Sequence, residues 1–270
     1  MPPLIRLVHP APASAVIALS AALAAILAMD AGRPALDGRV VLVALSVAGS
    51  QILAGALNDW ADRERDARVQ PHKPIPTGLV SSRAALVLAG IGAALLVGAS
   101  APLGVVPLLL GLIAGGSAVA YDLWLSRTPL SVLPYLISFG ILPVWIATGV
   151  GMPPGRVAEA IVLVGPFAAA AHLANTLRDF DADRAVGSRN LAQVLGRDRA
   201  QALAVALALA VGIGAGVLLV GSGRLEPASA VLGGIGLLAV GAGFAGPRWL
   251  WVGMLVAAVC WTVAWAVASI

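Results

Sequence analysis

The sequence predicts an all-α integral membrane protein: about nine transmembrane helices bundled around a central cavity, with two Asp-rich helix ends facing the cytoplasm. Three observations predict it. Of 270 residues, 60% are hydrophobic and 11% charged, with mean hydropathy +0.95; soluble domains are roughly a quarter charged. Apolar runs long enough to cross a bilayer, roughly 20 residues, recur at intervals of about 30. The basic residues gather in alternate segments between those runs, as the positive-inside rule requires of a polytopic chain.

Charge gaps and Gly/Pro breaks place the spans at about 11–29, 40–58, 83–100, 105–122, 130–150, 158–176, 200–221, 227–245 and 249–268. The opening stretch resembles a signal peptide but reads as an uncleaved first span, because eight more spans alternate with it. With a cytoplasmic N-terminus, thirteen of the seventeen basic residues fall inside and only Arg33, Arg39, Arg156 and Arg224 outside, which puts the C-terminus outside. Residues 1–270 then form one polytopic domain in the inner or plasma membrane, with membrane lipid as its surroundings. Prolines 107, 134, 143 and 166 fall inside spans and predict kinked helices lining a cavity. The one cysteine, Cys260, excludes a disulfide framework and a cysteine metal site. The net charge of +4 forms no continuous basic and aromatic patch, so nucleic acid is not an expected partner.

Nine of the thirteen acids lie at inside ends, where acids contribute little to topology and cost energy if they dip into hydrocarbon. Two stretches account for most of them. Asn58, Asp62 and Asp66 follow span 2, and Asn175, Asp179 and Asp183 follow span 6, with the same spacing 117 residues later. On a helix, positions i, i+4 and i+8 share a face, and Asp59 extends the first stripe. Like charges four apart destabilise a helix unless a cation lies between them, and stacked carboxylates are an oxygen ligand set suited to Mg²⁺. Either stretch alone also reads as solvated acids paired with neighbouring arginines; the repeated spacing favours the metal reading.

Because Mg²⁺ commonly bridges carboxylates to substrate phosphates, a diphosphate is the natural guest. The chain has no Walker loop and no dinucleotide fingerprint, so a lipid diphosphate suits it better than a nucleotide. Arg68 and Lys73 after the first acidic stretch, and Arg189 after the second, can hold remaining diphosphate oxygens. His172, one turn before Asn175, reads either as a packing histidine or as a substrate-binding group, whereas His9 and His72 read as surface residues. Glycines 49, 55, 111, 115 and 116 either make room for a lipid tail or allow close helix packing, the second being the commoner reason.

Taken together, Asn58-Asp59-x-x-Asp62-x-x-x-Asp66, Asp179-x-x-x-Asp183 and the loop Lys73-Pro74-Ile75-Pro76-Thr77-Gly78 resemble the UbiA-type superfamily of intramembrane aromatic prenyltransferases. Tyr121-Asp122 followed by Arg127 resembles that family's tyrosine-containing third segment, with Asp122 a departure from it. The resemblance implies Mg²⁺-dependent transfer of a prenyl group from an allylic isoprenyl diphosphate to an aromatic, quinone-precursor-like acceptor. It implies metal binding by Asp59, Asp62, Asp66, Asp179 and Asp183, the last four also catalytic. Substrate binding falls to Asn58, Arg68, Lys73, Tyr121, Arg127, His172, Asn175 and Arg189. Two competing readings are a CDP-alcohol phosphotransferase, whose Asp-Gly and Ala-Arg order is absent, and a transporter, whose acids belong at the midplane rather than at one face.

Overall fold

The computed structural model describes residues 2–268. Among these, nine helices are long and apolar enough to cross a membrane: Pro10–Asp30, Gly38–Ala61, Ser82–Leu103, Val105–Leu123, Pro129–Gly149, Pro154–Arg178, Arg197–Gly221, Pro227–Ala245 and Pro247–Val267. They are called spans 1 to 9 below. Every span expected from the charge gaps has a counterpart, displaced by at most a few residues. Local chemistry sets the ends: Asp37 caps span 2 through the Arg39 amide, Ser81 caps span 3 through the Ala84 amide, and proline opens spans 1, 8 and 9.

All four prolines expected inside spans lie within them, but only two interrupt a helix. Pro143 and Pro166 interrupt helices, each removing an i to i−4 bond. Pro107 and Pro134 instead stand in first turns, where the missing N–H has no partner to lose.

The chain divides into two compact units, one of Met1–Ser126 with Ile141–Ala158, the other of Arg127–Gly140 with Glu159–Ile270. The first acidic stretch belongs to the first unit and the second to the second. In the first unit, spans 2 and 3 pack backbone to backbone: a Cβ on Gly92 would lie 2.5 Å from the Leu53 nitrogen and 2.8 Å from the Gly49 oxygen. Ser46 and Ser100 hydrogen-bond across the same interface at 2.7 Å, and Val47, Leu53, Leu57, Leu96 and Trp145 form the core beside it. Gly55, Gly111 and Gly115 are likewise in close contact with neighbouring chain, whereas Gly116 faces open space; close packing is the role of the first three. In the second unit, Leu173, Leu177, Val205, Val240, Leu250 and Met254 form the core. Outward positions are apolar, among them Val105, Leu109 and Ile113 of span 4 and Ile213, Val217 and Val220 of span 7, as lipid contact demands.

Candidate functional site

The first acidic stretch closes span 2 with a bend. Asp62, at φ −88° and ψ 1°, ends Gly38–Ala61 and precedes a short helix, Arg63–Val69. The ladder still continues through it: the Asp62 amide donates to Asn58 O at 2.9 Å and the Asp66 amide to Asp62 O at 2.8 Å. Asp59, Asp62 and Asp66 are buried, at 3%, 8% and 1% exposure. Buried carboxylates are tolerable only when compensated, and here the compensation comes from the proline loop. Lys73 Nζ lies 3.0 Å from Asp59 Oδ1 and 2.7 Å from Asp66 Oδ2.

The loop holds that lysine by its backbone. The Thr77 amide and hydroxyl both donate to Lys73 O, at 3.1 and 2.9 Å, and the Val80 amide donates to Pro74 O. Gly78, at φ 75°, turns the chain through the left-handed region that favours glycine. Arg65 adds a second cation, its Nη1 lying 3.3 Å from Asp62 Oδ2 and 3.7 Å from Asp66 Oδ1. Burial works against the charge on Lys73, but Asp59 and Asp66 outweigh it and hold the ammonium above its ordinary range. Burial also pushes the Asp66 carboxyl above the usual carboxylate range, because one ammonium shared with Asp59 does not fully offset it and Asp62 adds a like charge.

Two residues complete the cluster. From span 4, buried Asp122 accepts a hydrogen bond from Asn58 Nδ2 through its Oδ1, at 3.1 Å. From the N-terminal segment, His9 Nε2 comes within 3.4 Å of Asp59 Oδ1. His9 keeps 41% of its side chain exposed, as expected of a surface residue, while its Nε2 reaches the buried carboxylate. His9 adopts φ 49°, and the segment before it is pinned by fully buried Leu7 and by Arg6, whose Nη2 donates to His72 O at 3.1 Å. His72 is exposed, as expected.

The second stretch repeats the backbone of the first. Asp179, at φ −99° and ψ 13°, separates Ala158–Arg178 from Phe180–Ala185, and the Asp183 amide donates to Asp179 O at 2.8 Å. The bend therefore falls on the same motif position, the first aspartate of the Asn-Asp-Asp spacing, in both copies. Asp183 is buried at 7% and accepts from Asn190 Nδ2 at 2.8 Å, while Asn190 Oδ1 caps the Gln193 amide and Gln193 Nε2 donates to Phe180 O. Asp179 is exposed. Asn175 Oδ1 lies 3.4 Å from Arg178 Nη1. His172 is 2% exposed and stacks on Tyr135, ring centroids 4.2 Å apart.

Of the residues expected at the site, the first unit gathers Asn58, Asp59, Asp62, Asp66 and Lys73 into one cluster; Tyr121 is half-buried next to Asp122, and Arg68 is exposed on Arg63–Val69. In the second unit the backbones of Arg127 and Arg189 meet at 3.1 Å with both side chains exposed. His9, Arg65 and Asn190 were not expected there. Asn190 follows Asp183 by seven residues, a spacing that signals contact only once the intervening turn is known; nothing in the sequence signals His9.

Among the described residues no group of three or more His, Cys, Asp or Glu side chains is placed so as to hold a metal ion. What two carboxylates do converge on is the Lys73 ammonium. An all-oxygen donor set around a buried cation position fits a hard divalent ion. Asp59, Asp62 and Asp66 are of the right chemistry for such an ion, and the Lys73 ammonium takes the position between Asp59 and Asp66.

Comparison with known proteins identifies the family. Residues 18–269 match the UbiA prenyltransferase family. The chain is 33% identical over 213 residues to digeranylgeranylglyceryl phosphate synthase of Halobacterium salinarum, covering 76% of this chain and 69% of that one. It is 27% identical over 192 residues to the chloroplastic chlorophyll synthase of Oryza sativa, covering 66% of this chain and half of that protein's length. Among solved structures, a UbiA homolog from Aeropyrum pernix superposes with TM-score 0.72 at 24% identity, covering 93% of this chain and 96% of that one. A UbiA homolog from Archaeoglobus fulgidus bound to DMAPP and Mg²⁺ superposes with TM-score 0.68 at 18% identity, covering 99% of each chain. Nine apolar helices in this fold and a family match over most of its length lead to one conclusion: the chain belongs to the UbiA prenyltransferase family and is an integral membrane prenyltransferase.

Proposed function

We propose that the protein transfers a prenyl group from an allylic isoprenyl diphosphate to an aromatic, quinone-precursor-like acceptor in a Mg²⁺-dependent reaction that releases diphosphate. The observation that carries the reading is the convergence of Asp59 and Asp66 on one cation position at a membrane helix end. Mg²⁺ supplies charge neutralisation of the leaving diphosphate, so that the allylic C–O bond can ionise. Asp59, Asp62 and Asp66 hold metal in the first unit, Asp179 and Asp183 in the second. Asn58 and Asn175 orient those carboxylates. Lys73, Arg68, Arg127 and Arg189 bind diphosphate oxygens, the arginines through a planar fork and Lys73 as a point charge. Tyr121 and His172 belong to the acceptor side. Apolar spans exclude water from the allylic cation until the acceptor attacks it.

The proposed topology puts the N-terminus and both acidic stretches in the cytoplasm and the C-terminus outside. Residues 1–270 act as one domain whose two halves repeat the bent Asn-Asp-Asp motif. Support for the halves comes from the matching bends at Asp62 and Asp179. Support for the topology comes from the sparse outside arginines, three of which have local structural partners: Arg39 donates to Gly149 O and Leu103 O, Arg156 pairs with Asp30, and Arg224 pairs with Glu159.

A second acceptor reading rests on relatives from Halobacterium salinarum and Korarchaeum cryptofilum, 33% and 31% identical, that are named digeranylgeranylglyceryl phosphate synthases. There the acceptor would be a glyceryl phosphate ether rather than an aromatic ring. The test is mass-resolved product analysis with lipid-reconstituted protein, geranylgeranyl diphosphate, Mg²⁺, and aromatic acids or geranylgeranylglyceryl phosphate as acceptors. A prenylated aromatic product supports the first reading, an ether product replaces it with the second, and no Mg²⁺-dependent product with either class overturns the prenyl-transfer proposal.

A further inference from the structure

Asp122 is the one carboxylate of the first cluster that comes from outside the first acidic stretch. It lies at the end of span 4 with 7% exposure, and an ionisable group buried in a membrane helix is costly unless it has a function or a partner. Only half of it has a partner. Oδ1 accepts from Asn58 Nδ2 at 3.1 Å, while Oδ2 is buried with no hydrogen-bond partner. A buried acceptor left unmade costs about 1–3 kcal/mol, more if charged.

The surrounding charges sharpen the point. Asp59 and Asp62 both act electrostatically on Asp122. With Asp66, the cluster holds four buried carboxylates against two part-buried cations, Lys73 and Arg65. Fully ionised, these carboxylates outnumber the basic groups beside them, Lys73, Arg65 and His9, and Asp122 adds to the excess. Asn58 is thus a bracket: its amide fixes one Asp122 oxygen and leaves the other directed to no protein group.

We infer that Asp122 is a fourth carboxylate of the first acidic set, and that its Oδ2 is a ligand oxygen for the divalent cation. The inference rests on the reading of Asp59, Asp62 and Asp66 as a cation site and extends that set to span 4.

The test is Mn²⁺ binding, followed by electron paramagnetic resonance, to the full-length protein in lipid without any diphosphate. Asp122→Asn keeps the shape and the Asn58 contact side while removing the charge, and it lowers Mn²⁺ affinity by about tenfold or more, the scale on which losses around a metal are felt. Its metal-free melting temperature equals or exceeds the wild type's, and the rise on adding Mn²⁺ shrinks. If Asp122→Asn does not yield folded protein, Asp122→Ser is read in the same assay with the same expectation. Wild-type affinity in the variant means that Oδ2 carries a proton rather than a metal and overturns the inference alone. A wild type that takes up no Mn²⁺ overturns the cation-site reading and the inference with it.

Discussion

At the scale of single residues, Lys73 explains how three buried acids are stable together before any metal arrives. Its ammonium bridges Asp59 and Asp66 at 3.0 and 2.7 Å, and breaking such a buried pair from one side leaves uncompensated charge, at a cost of about 3 kcal/mol or more. Lys73→Met is therefore expected to lower the melting temperature in chelator and to regain much of the loss in excess Mg²⁺, because the metal takes over the compensation. A loss that Mg²⁺ leaves unchanged would show that Lys73 and the metal do not share a position. Asp62→Asn and Asp179→Asn are each expected to reduce prenyl transfer by about a hundredfold or more in saturating Mg²⁺, as removal of a charge-stabilising group does elsewhere; turnover within a fewfold of wild type would exclude those carboxylates from the donor site. Lys73 was legible in the sequence as a basic group near the acids. Its bridging was not, since it depends on Gly78 and Thr77 folding the loop back on Lys73 O.

At the scale of elements, the bent helix ends and the glycine contacts between spans position these residues. Spans 2 and 3 approach so closely at Gly49 and Gly92 that any Cβ meets backbone, which has no rotamer with which to yield. Gly92→Ala should cost about 1–3 kcal/mol of stability through overpacking. Gly90→Ala and Gly98→Ala on the same helix face open space, and should be neutral or stabilising by about 0.5–1 kcal/mol from helix propensity alone. Thermal melting of the three variants checks the contrast; equal losses in all three would contradict the close approach. The nine spans and the Asn58/Asp62/Asp66 spacing were readable because hydropathy and helical period are local properties. The Asn58–Asp122 contact, 64 residues apart, and the return of His9 to Asp59 were not, since each needs the packing of separate helices. Pro107 and Pro134 lie inside their spans as expected, and only their first-turn positions, where no hydrogen bond is lost, were not read.

At the scale of the whole molecule, alternate distribution of charge and an odd number of spans set the proposed sidedness. In a Cys260→Ala background, a cysteine at Thr77 should be labelled by an impermeant maleimide only from the cytoplasmic side, and one at Ser222 only from the opposite side. The reverse pattern would invert the topology and move both acidic stretches outside. The central claim is that the acidic sets hold an isoprenyl diphosphate through divalent metal, and titration calorimetry of geranylgeranyl diphosphate into the reconstituted protein tests it most directly. Saturable binding in Mg²⁺, lost in chelator and lost in both Asp62→Asn and Asp179→Asn, is the predicted result; binding that persists undiminished in chelator would contradict it.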